Sequence, residues 1–493
     1  MQESTSPDWM GPSSEVDNTI SRSPGTASNT LREALLSWTP YYSTHGNSSQ
    51  PTGPWDELAD WYWGYWEEIE DQLSGPLDNR IPPKSLRDEL VLLYFKHVHP
   101  LCPIFDEVGF HTCYYCSDED DSFLEVTTYH SCRDESPIAL ARAALLLSYW
   151  SPYSSEQLTN NYWVDQAFIH ARAACLHEQQ QCMTPPVSQG RMRLIWWSLV
   201  LRDRLVAFAL RRSHRMHRRI PDIPLPSLGD FEIELHISPF VDVHHKRQYV
   251  NSFIAQCELS RVIAHIVMFQ ERRTYPETSD GRGLNINSEL EEVALLHLQL
   301  DHFIERFEIL MKQVSSKAID RDGMPCQMTK IYHSSAVAAL HLPYIAPTKG
   351  KYPVIHQTFS ETALQYVRDA VTKIAKCTEA LAYSEDSNDI PLAIGAWVAL
   401  PIAVKVVFLS NGTNLENPSA EIQEMRTLMN LLRLIKSRFS GGRFLANVLG
   451  VVISQVFLVG NKNDRHEFND VLQDAASMID KGLAHGIMPS AKL

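Results

Sequence analysis

The residues best suited to chemistry lie between Cys113 and Cys132. Cys113-Tyr-Tyr-Cys116 sets two thiols three residues apart, with His130 and Cys132 downstream. Two sulfur ligands at that spacing and one later His or Cys could hold a single zinc ion, although zinc sites normally draw on a second pair at helical or knuckle spacing. Asp118-Glu119-Asp120-Asp121 and Glu125 lie inside the same stretch. Clustered carboxylates can hold magnesium against a diphosphate. The complement such a site needs, Asn-Asp followed at fixed steps by Ser or Thr and then Glu, is missing, since Asn469-Asp470 leads to Gln473 and Ser477. A solvated acidic loop is the simpler reading. His97, His99 and Cys102 form a third set without paired ligand spacing, and a structural role fits them better. Leu458 to Asp464 contains Asn461-Lys462-Asn463-Asp464, the spacing of a guanine-reading loop. No Gly-x-x-x-x-Gly-Lys-Ser/Thr accompanies it to cradle phosphates. With no Ser-His-Asp, metal or nucleotide constellation left standing, no catalytic residue, metal ligand or cofactor is assigned, and the chain is read as not an enzyme.

One basic run stands out. Arg211 to Arg219 carries Arg211, Arg212, Arg215, Arg218 and Arg219 with two histidines in nine residues. Such a run serves as a solvated loop, a nuclear import signal or a phosphate contact. The rest of the chain argues against a broad nucleic-acid grip, because its formal net charge is −15 and binding phosphate backbone needs clustered cations.

These residues need elements to position them, and the central one precedes the basic run. From Arg191 the chain reads RMRLIWWSLVLRDRLVAFAL, apolar around the whole circumference of a helix, which places it in the middle of a large core. Arg202-Asp203-Arg204 interrupts that surface and must pair or reach water. Upstream, Leu86, Leu90, Leu93 and Tyr94 recur at helical spacing until Pro100 and Pro103. Residues 137–150 and 161–181 read as a helical hairpin, with Trp163, Ala167 and Ala171 at i, i+4, i+8 so that small side chains permit a close crossing. Downstream, helices are expected over 250–270, 290–311, 360–383, 422–439, 444–459 and 468–483. The second carries a capping box at Ser288 and Glu291 and a stripe of Leu296, Leu300, Phe303, Phe307 and Leu310. Residues 390–409 are long and apolar enough to span a bilayer, but Pro391, Pro401 and Lys405 favour a buried core helix. No membrane partner is assigned. Nine cysteines at irregular spacing give no disulfide framework, and the N-terminus has neither the basic start nor the apolar core of a signal peptide.

Residues 1–53 read as a disordered Ser/Thr/Pro-rich leader. Residues 54–80 interleave Trp55, Trp61, Trp63 and Trp66 with acidic residues, either an activation-type segment or an amphipathic helix packed on the adjoining domain.

The run from Arg191 to Glu232 resembles the centre of the fungal-specific transcription factor regulatory domain, the middle homology region, of the cutinase transcription factor beta type. The likeness rests on Arg191 to Arg193, Trp196-Trp197, Arg202-Asp203-Arg204, the basic loop and the tail from Asp222 to Glu232. His97 to Glu107 and the hairpin helices extend it to about residues 81–440. The resemblance implies an all-α fold, a large multi-helix regulatory domain behind a disordered leader, with the middle homology region at 81–345 and a C-terminal helical part of the same bundle at 346–493. It also implies a nuclear transcriptional regulator of metabolic or secondary-metabolite genes, with the transcription machinery or another transcription factor as partner. DNA contact is expected directly or through that partner, as is homo- or heterodimerisation. The family's N-terminal binuclear zinc cluster is not seen, since Cys102 is the first cysteine and only Arg22, Arg32 and Arg80 are basic among residues 1–80. The factor therefore either works without a cluster or is represented by a shortened reading frame. The alternatives are a non-DNA-binding inhibitor of another factor and, more remotely, an α-helical enzyme of the terpene-synthase kind.

Overall fold

The computed structural model describes residues 84–116, 136–149, 160–178, 186–209, 214, 223–274, 286–314, 323–345, 357–382, 390, 394–410, 418–438 and 449. Among them every regular element is helical, as the periodicities require. The leader, the tryptophan segment, the acidic run, the basic loop apart from His214, the guanine-like loop and the two last expected helices apart from Leu449 lie outside the described residues.

Twelve α-helices occur in order among the described residues. They are α1 (Lys84–Leu93), α2 (Glu107–Cys116), α3 (Pro137–Leu147), α4 (Asn160–Ala173), α5 (Pro186–Ala209), α6 (Glu232–His236), α7 (Val243–Thr274), α8 (Ile286–Val314), α9 (Met324–His341), α10 (Gln357–Ala382), α11 (Ile394–Ser410) and α12 (Pro418–Arg438). A π-turn at Tyr94–Val98 leaves α1, and short 3-10 turns sit at Leu228–Phe231 and Leu342–Tyr344.

The core has two lobes threaded by two helices. The first gathers Cys102, Ile104, Trp163, Ala167, Ala171, the Leu194–Leu201 stretch of α5, Phe231 and the start of α7. The second gathers Phe208 at the end of α5, the rest of α7, and the inner faces of α8 to α12. Helix α5 is buried at every residue from Leu194 to Arg204, which is why its sequence shows no polar face. Its last turn stacks Phe208 on Trp397 at 5.6 Å, so one helix ties α3 and α4 to α11.

Several expectations shift in detail. Leu86, Leu90 and Leu93 do lie along one side of α1, but that side is exposed and only Val91 of the helix is buried. Helix α8 begins at Ile286, two residues before Ser288, so Ser288 is inside the helix and not its cap. The buried stripe of α8 ends on Met311 instead of Leu310. Everything beyond Phe240 reads as helical in the sequence, but helix α9 has no bounds of its own among the expected helices, and sixteen of its eighteen residues are buried. The apolar stretch around Ile394–Ser410 is a core helix, with Lys405 buried between Glu421 and Glu424 of α12, 2.6 Å from the latter. Among the described residues α7 is the helix long and apolar enough to cross a membrane, and 67% of its apolar window is buried against the rest of the protein.

Candidate functional site

The strongest concentration of buried charge lies where the start of α2, the first turns of α5, helix α6 and the start of α7 meet. Glu234 of α6 is at its centre, with a fully buried side chain. Arg191 reaches Glu234 through Nη1 and Asp106 through Nη2, the latter at 2.9 Å. Lys246 donates to Glu107 at 2.6 Å and to Glu234 at 2.9 Å, and its own side chain is almost fully buried. His99 Nε2 lies 3.3 Å from Glu234, the backbone N–H of Glu107 donates to Glu234, and Ser238 donates to Glu107 at 3.0 Å. Two buried carboxylates therefore face the buried Lys246 and the partly buried Arg191, the condition under which such charges are tolerated away from water.

The tail after the basic loop completes this brace. Ser227 and Asp230 form a capping box at the Leu228–Phe231 turn, and Asp230 receives Arg193 at 2.9 and 3.1 Å. The α5 backbone comes so close here that a Cβ on Gly190 would stand 2.9 Å from Asp230 Oδ1. Trp197 donates its indole N–H to the Pro224 carbonyl at 2.7 Å, pinning the proline-rich strand along α5.

The electrostatics result from this packing. Burial alone would raise the Glu234 carboxyl, but the His99 hydrogen bond and the Lys246 and Arg191 charges outweigh it and hold it well below the usual carboxylate range. Burial, reinforced by the nearby Lys246 ammonium, lowers His99.

Three groups that might have held a metal now have places. Ligand atoms of His99, Glu107 and Glu234 lie within 4.8 Å of one another, but the Lys246 ammonium occupies the cation's position between the carboxylates. Cys102 is fully buried and burial pushes its thiol up to about 12, the opposite of what a thiolate ligand needs. Cys113 is exposed on α2, while His130 and Cys132 lie outside the described residues. A cleft lined by Phe95, His99, Phe231, Lys246 and Phe253 has room for about one water.

The Arg202-Asp203-Arg204 step pairs inward, as its position demands. Arg202 donates to the Ser148 hydroxyl at 3.2 Å and to the Ser148 carbonyl, and its guanidinium lies 4.0 Å above the Tyr149 ring. Arg204 donates to Ser260 at 3.0 Å and flanks Trp197; burial lowers its guanidinium to about 10. Of the basic loop, His214 alone is described, and it is buried.

Sequence reasoning found Arg191, Arg193, Asp230 and the acidic pair at 106–107 only as parts of a motif, and it missed Lys246, Glu234 and Ser238. Apart from Lys246 with Glu234, twelve residues apart, the partnerships span 37 to 139 residues, a range at which periodicity is silent. The one available signal was a balance of buried charge, since Glu234 lies three residues beyond the apolar Phe231 of the motif's tail.

The family model of the fungal specific transcription factor domain matches residues 115–303, a span that holds Arg191, Arg193, Asp230, Glu234 and Lys246 of the brace but not His99, Asp106 or Glu107. Cutinase transcription factor 1 beta of Fusarium vanettenii is 22% identical over 424 residues, covering 72% of this chain and 47% of that protein. Fusaric acid cluster transcription factor FUB12 of Gibberella fujikuroi is 23% identical, covering 47% and 42%. The acetamidase regulatory protein of Emericella nidulans is 25% identical, covering 54% and 34%. The chain thus spans about half or less of the length of these relatives. No solved structure matches.

Proposed function

We infer, from the match of residues 115–303 to the fungal specific transcription factor domain, that the protein is a fungal transcriptional regulator. It acts in the nucleus on metabolic or secondary-metabolite genes. Names among the similar proteins support that scope, since one is a fusaric acid cluster factor and another an acetamidase regulator.

The observation that carries the reading is the spending of the motif's charged residues on internal bonds. Arg191, Arg193, Arg202 and Arg204 all point into carboxylates, hydroxyls or rings of the same chain. A catalytic site needs at least one polar group held open to a substrate; these are closed, which suits a rigid regulatory scaffold and not an enzyme. The two core lobes share α5 and α7, and this supports treating 81–345 and 346–493 as one helical unit behind the leader and the tryptophan segment.

The same closure, with the net charge of −15, favours reaching promoters through a partner. The residues left for direct phosphate contact are Arg211, Arg212, Arg215, Arg218 and Arg219, which also fit an import signal. A non-DNA-binding inhibitor of another factor is the second reading, favoured by the same charge balance.

Two measurements test this. Purified full chain is titrated on promoter fragments with zinc present across salt concentrations, where salt-steep, sequence-selective binding would defeat the partner-dependent reading. The chain is also tethered to an unrelated DNA-binding domain beside a reporter gene. Changed reporter output is expected. A silent tether, together with unaltered transcripts after deletion of the gene, would defeat the regulatory reading itself. Repression of another factor's reporter by the untethered chain would favour the inhibitor.

A further inference from the structure

Helix α8 carries two heptad stripes, and only one is used by the fold. The inner stripe, Leu296, Leu300, Phe303 and Phe307, is buried in the second lobe. On the opposite side Leu295, Leu298, His302, Glu305, Ile309 and Lys312 keep a 3-4-3-4-3 step and are all exposed. Leu298 is 64% exposed, and Leu295 and Ile309 are 55% exposed each. Large apolar residues spaced at random on a surface need no explanation, but three at a/d spacing on one 29-residue helix form a seam.

We propose that this seam pairs antiparallel with the same seam of a second copy, making α8 a homodimerisation helix. Charge placement selects both the occupant and the direction. In an antiparallel helix pair each a residue packs against a d residue of the other chain. Taking Leu295, His302 and Ile309 as a positions and Leu298, Glu305 and Lys312 as d positions, one register satisfies the whole stripe. It sets His302 against Glu305 of the second copy, twice, about the symmetry axis. Leu298 meets Ile309 of the second copy on either side, and at the two ends Leu295 lies under the aliphatic stem of Lys312, whose ammonium reaches the exposed Glu291 at the start of α8. A parallel pair would instead oppose Glu305 to Glu305 and Lys312 to Lys312. Self-complementarity about a twofold axis is the property an isologous interface requires.

The strength of the pair is bounded by area and by one repulsive edge. Two helices of this length bury on the order of 1,000 Å² in total, the low end for a specific interface. Asp301 faces Glu308 of the second copy along one side. The dimer is therefore a reversible one in the micromolar range. The inference does not depend on the regulatory reading, because its readout is oligomeric state alone.

The test is sedimentation velocity of the full chain from about 1 to 100 µM. Wild type is expected to move from monomer to dimer across that range. The pair L298D with I309D, at exposed positions on α8, is expected to stay monomeric with an unchanged helical spectrum and thermal midpoint. His302→Glu alone should weaken association about tenfold, and Glu305→His alone should weaken it less. The double swap His302→Glu with Glu305→His rebuilds the ion pair only in the antiparallel register and should return association to within about threefold of wild type. A wild-type chain that remains monomeric at 100 µM, a dimer indifferent to L298D with I309D, or a double swap that fails to restore association would each overturn the proposal. The first of these would leave the seam to a different protein.

Discussion

Glu234 shows how much of the brace hangs on a single carboxylate. It collects Arg191, Lys246, His99 and the Glu107 amide, so removing its charge leaves Lys246 and Arg191 sharing what remains. Glu234→Gln keeps the shape and should cost about 3 kcal/mol, the scale seen when one partner of a buried pair is lost. Asp106→Asn removes a carboxylate that is 41% exposed, where solvent screening limits the loss to below about 1 kcal/mol. Denaturant midpoints of the two variants, compared with wild type, check the ranking; equal losses would mean that the brace is not a buried unit. The sequence told half of this at the residue scale. It required Arg202 and Arg204 to find partners, because a charge inside an apolar helix has no alternative. It could not say that Arg193 answers Asp230 or that Lys246 answers Glu107, since pairing across the chain is settled by how helices dock.

At the scale of elements, legibility tracked amphipathicity. Helices α8, α10 and α12, each with one wet face, are legible to within a few residues because solvent imprints a 3.6-residue period. Helix α9 escapes for the opposite reason. Buried on every side, it carries Gln327, Thr329, His333, Ser334, Ser335 and His341 among its apolar residues, so its composition looks polar and no face repeats. Several of those polar groups are held by neighbouring helices: Gln256 of α7 donates to the Pro325 carbonyl and to Thr329, and His333 bonds the Leu300 carbonyl. The end of α4 offers a prediction at this scale. Cys175 sits there at φ 54°, a left-handed conformation that costs a side-chain-bearing residue about 1 kcal/mol, while Leu176 donates back to the Ala171 carbonyl across the cap. Cys175→Gly relieves the strain at an exposed site and should raise stability by about 0.5–1 kcal/mol. A lowered thermal midpoint would show that the thiol makes a contact worth more than the strain.

At the scale of the whole molecule, the buried histidines among the described residues govern the response to acid. Burial lowers His333 to about 4 and His341 to about 3, and it lowers His99 as well. Above pH 6.5, the ordinary histidine value, both folded and unfolded chains hold these rings neutral and they contribute nothing to pH dependence. Below it the unfolded chain takes up protons that the folded one refuses, so stability falls by up to about 1.4 kcal/mol per pH unit for each ring. Glu234 acts in the same direction over a lower window. Its folded carboxyl lies below the ordinary 4.5, so its contribution is present above that pH and is lost as pH falls beneath it. One opposing effect must be weighed: the net charge of −15 shrinks toward the isoelectric point near 5.7, relieving surface repulsion. That repulsion is spread over exposed side chains and is largely screened at about 0.3 M salt, whereas the buried rings are not, so the histidine effect should win. At that ionic strength the unfolding free energy should be flat above about pH 7, decline from about 6.5 to 4.5, and decline further below about 4.5. His341→Phe removes one refusing ring from beside His297 and Tyr366 and should lower the slope between about pH 6.5 and 4.5 by up to about 1.4 kcal/mol per unit. An unchanged slope would mean that His341 opens to water and charges in the folded protein. A flat wild-type profile across the same window would mean that the second lobe does not hold its histidines dry.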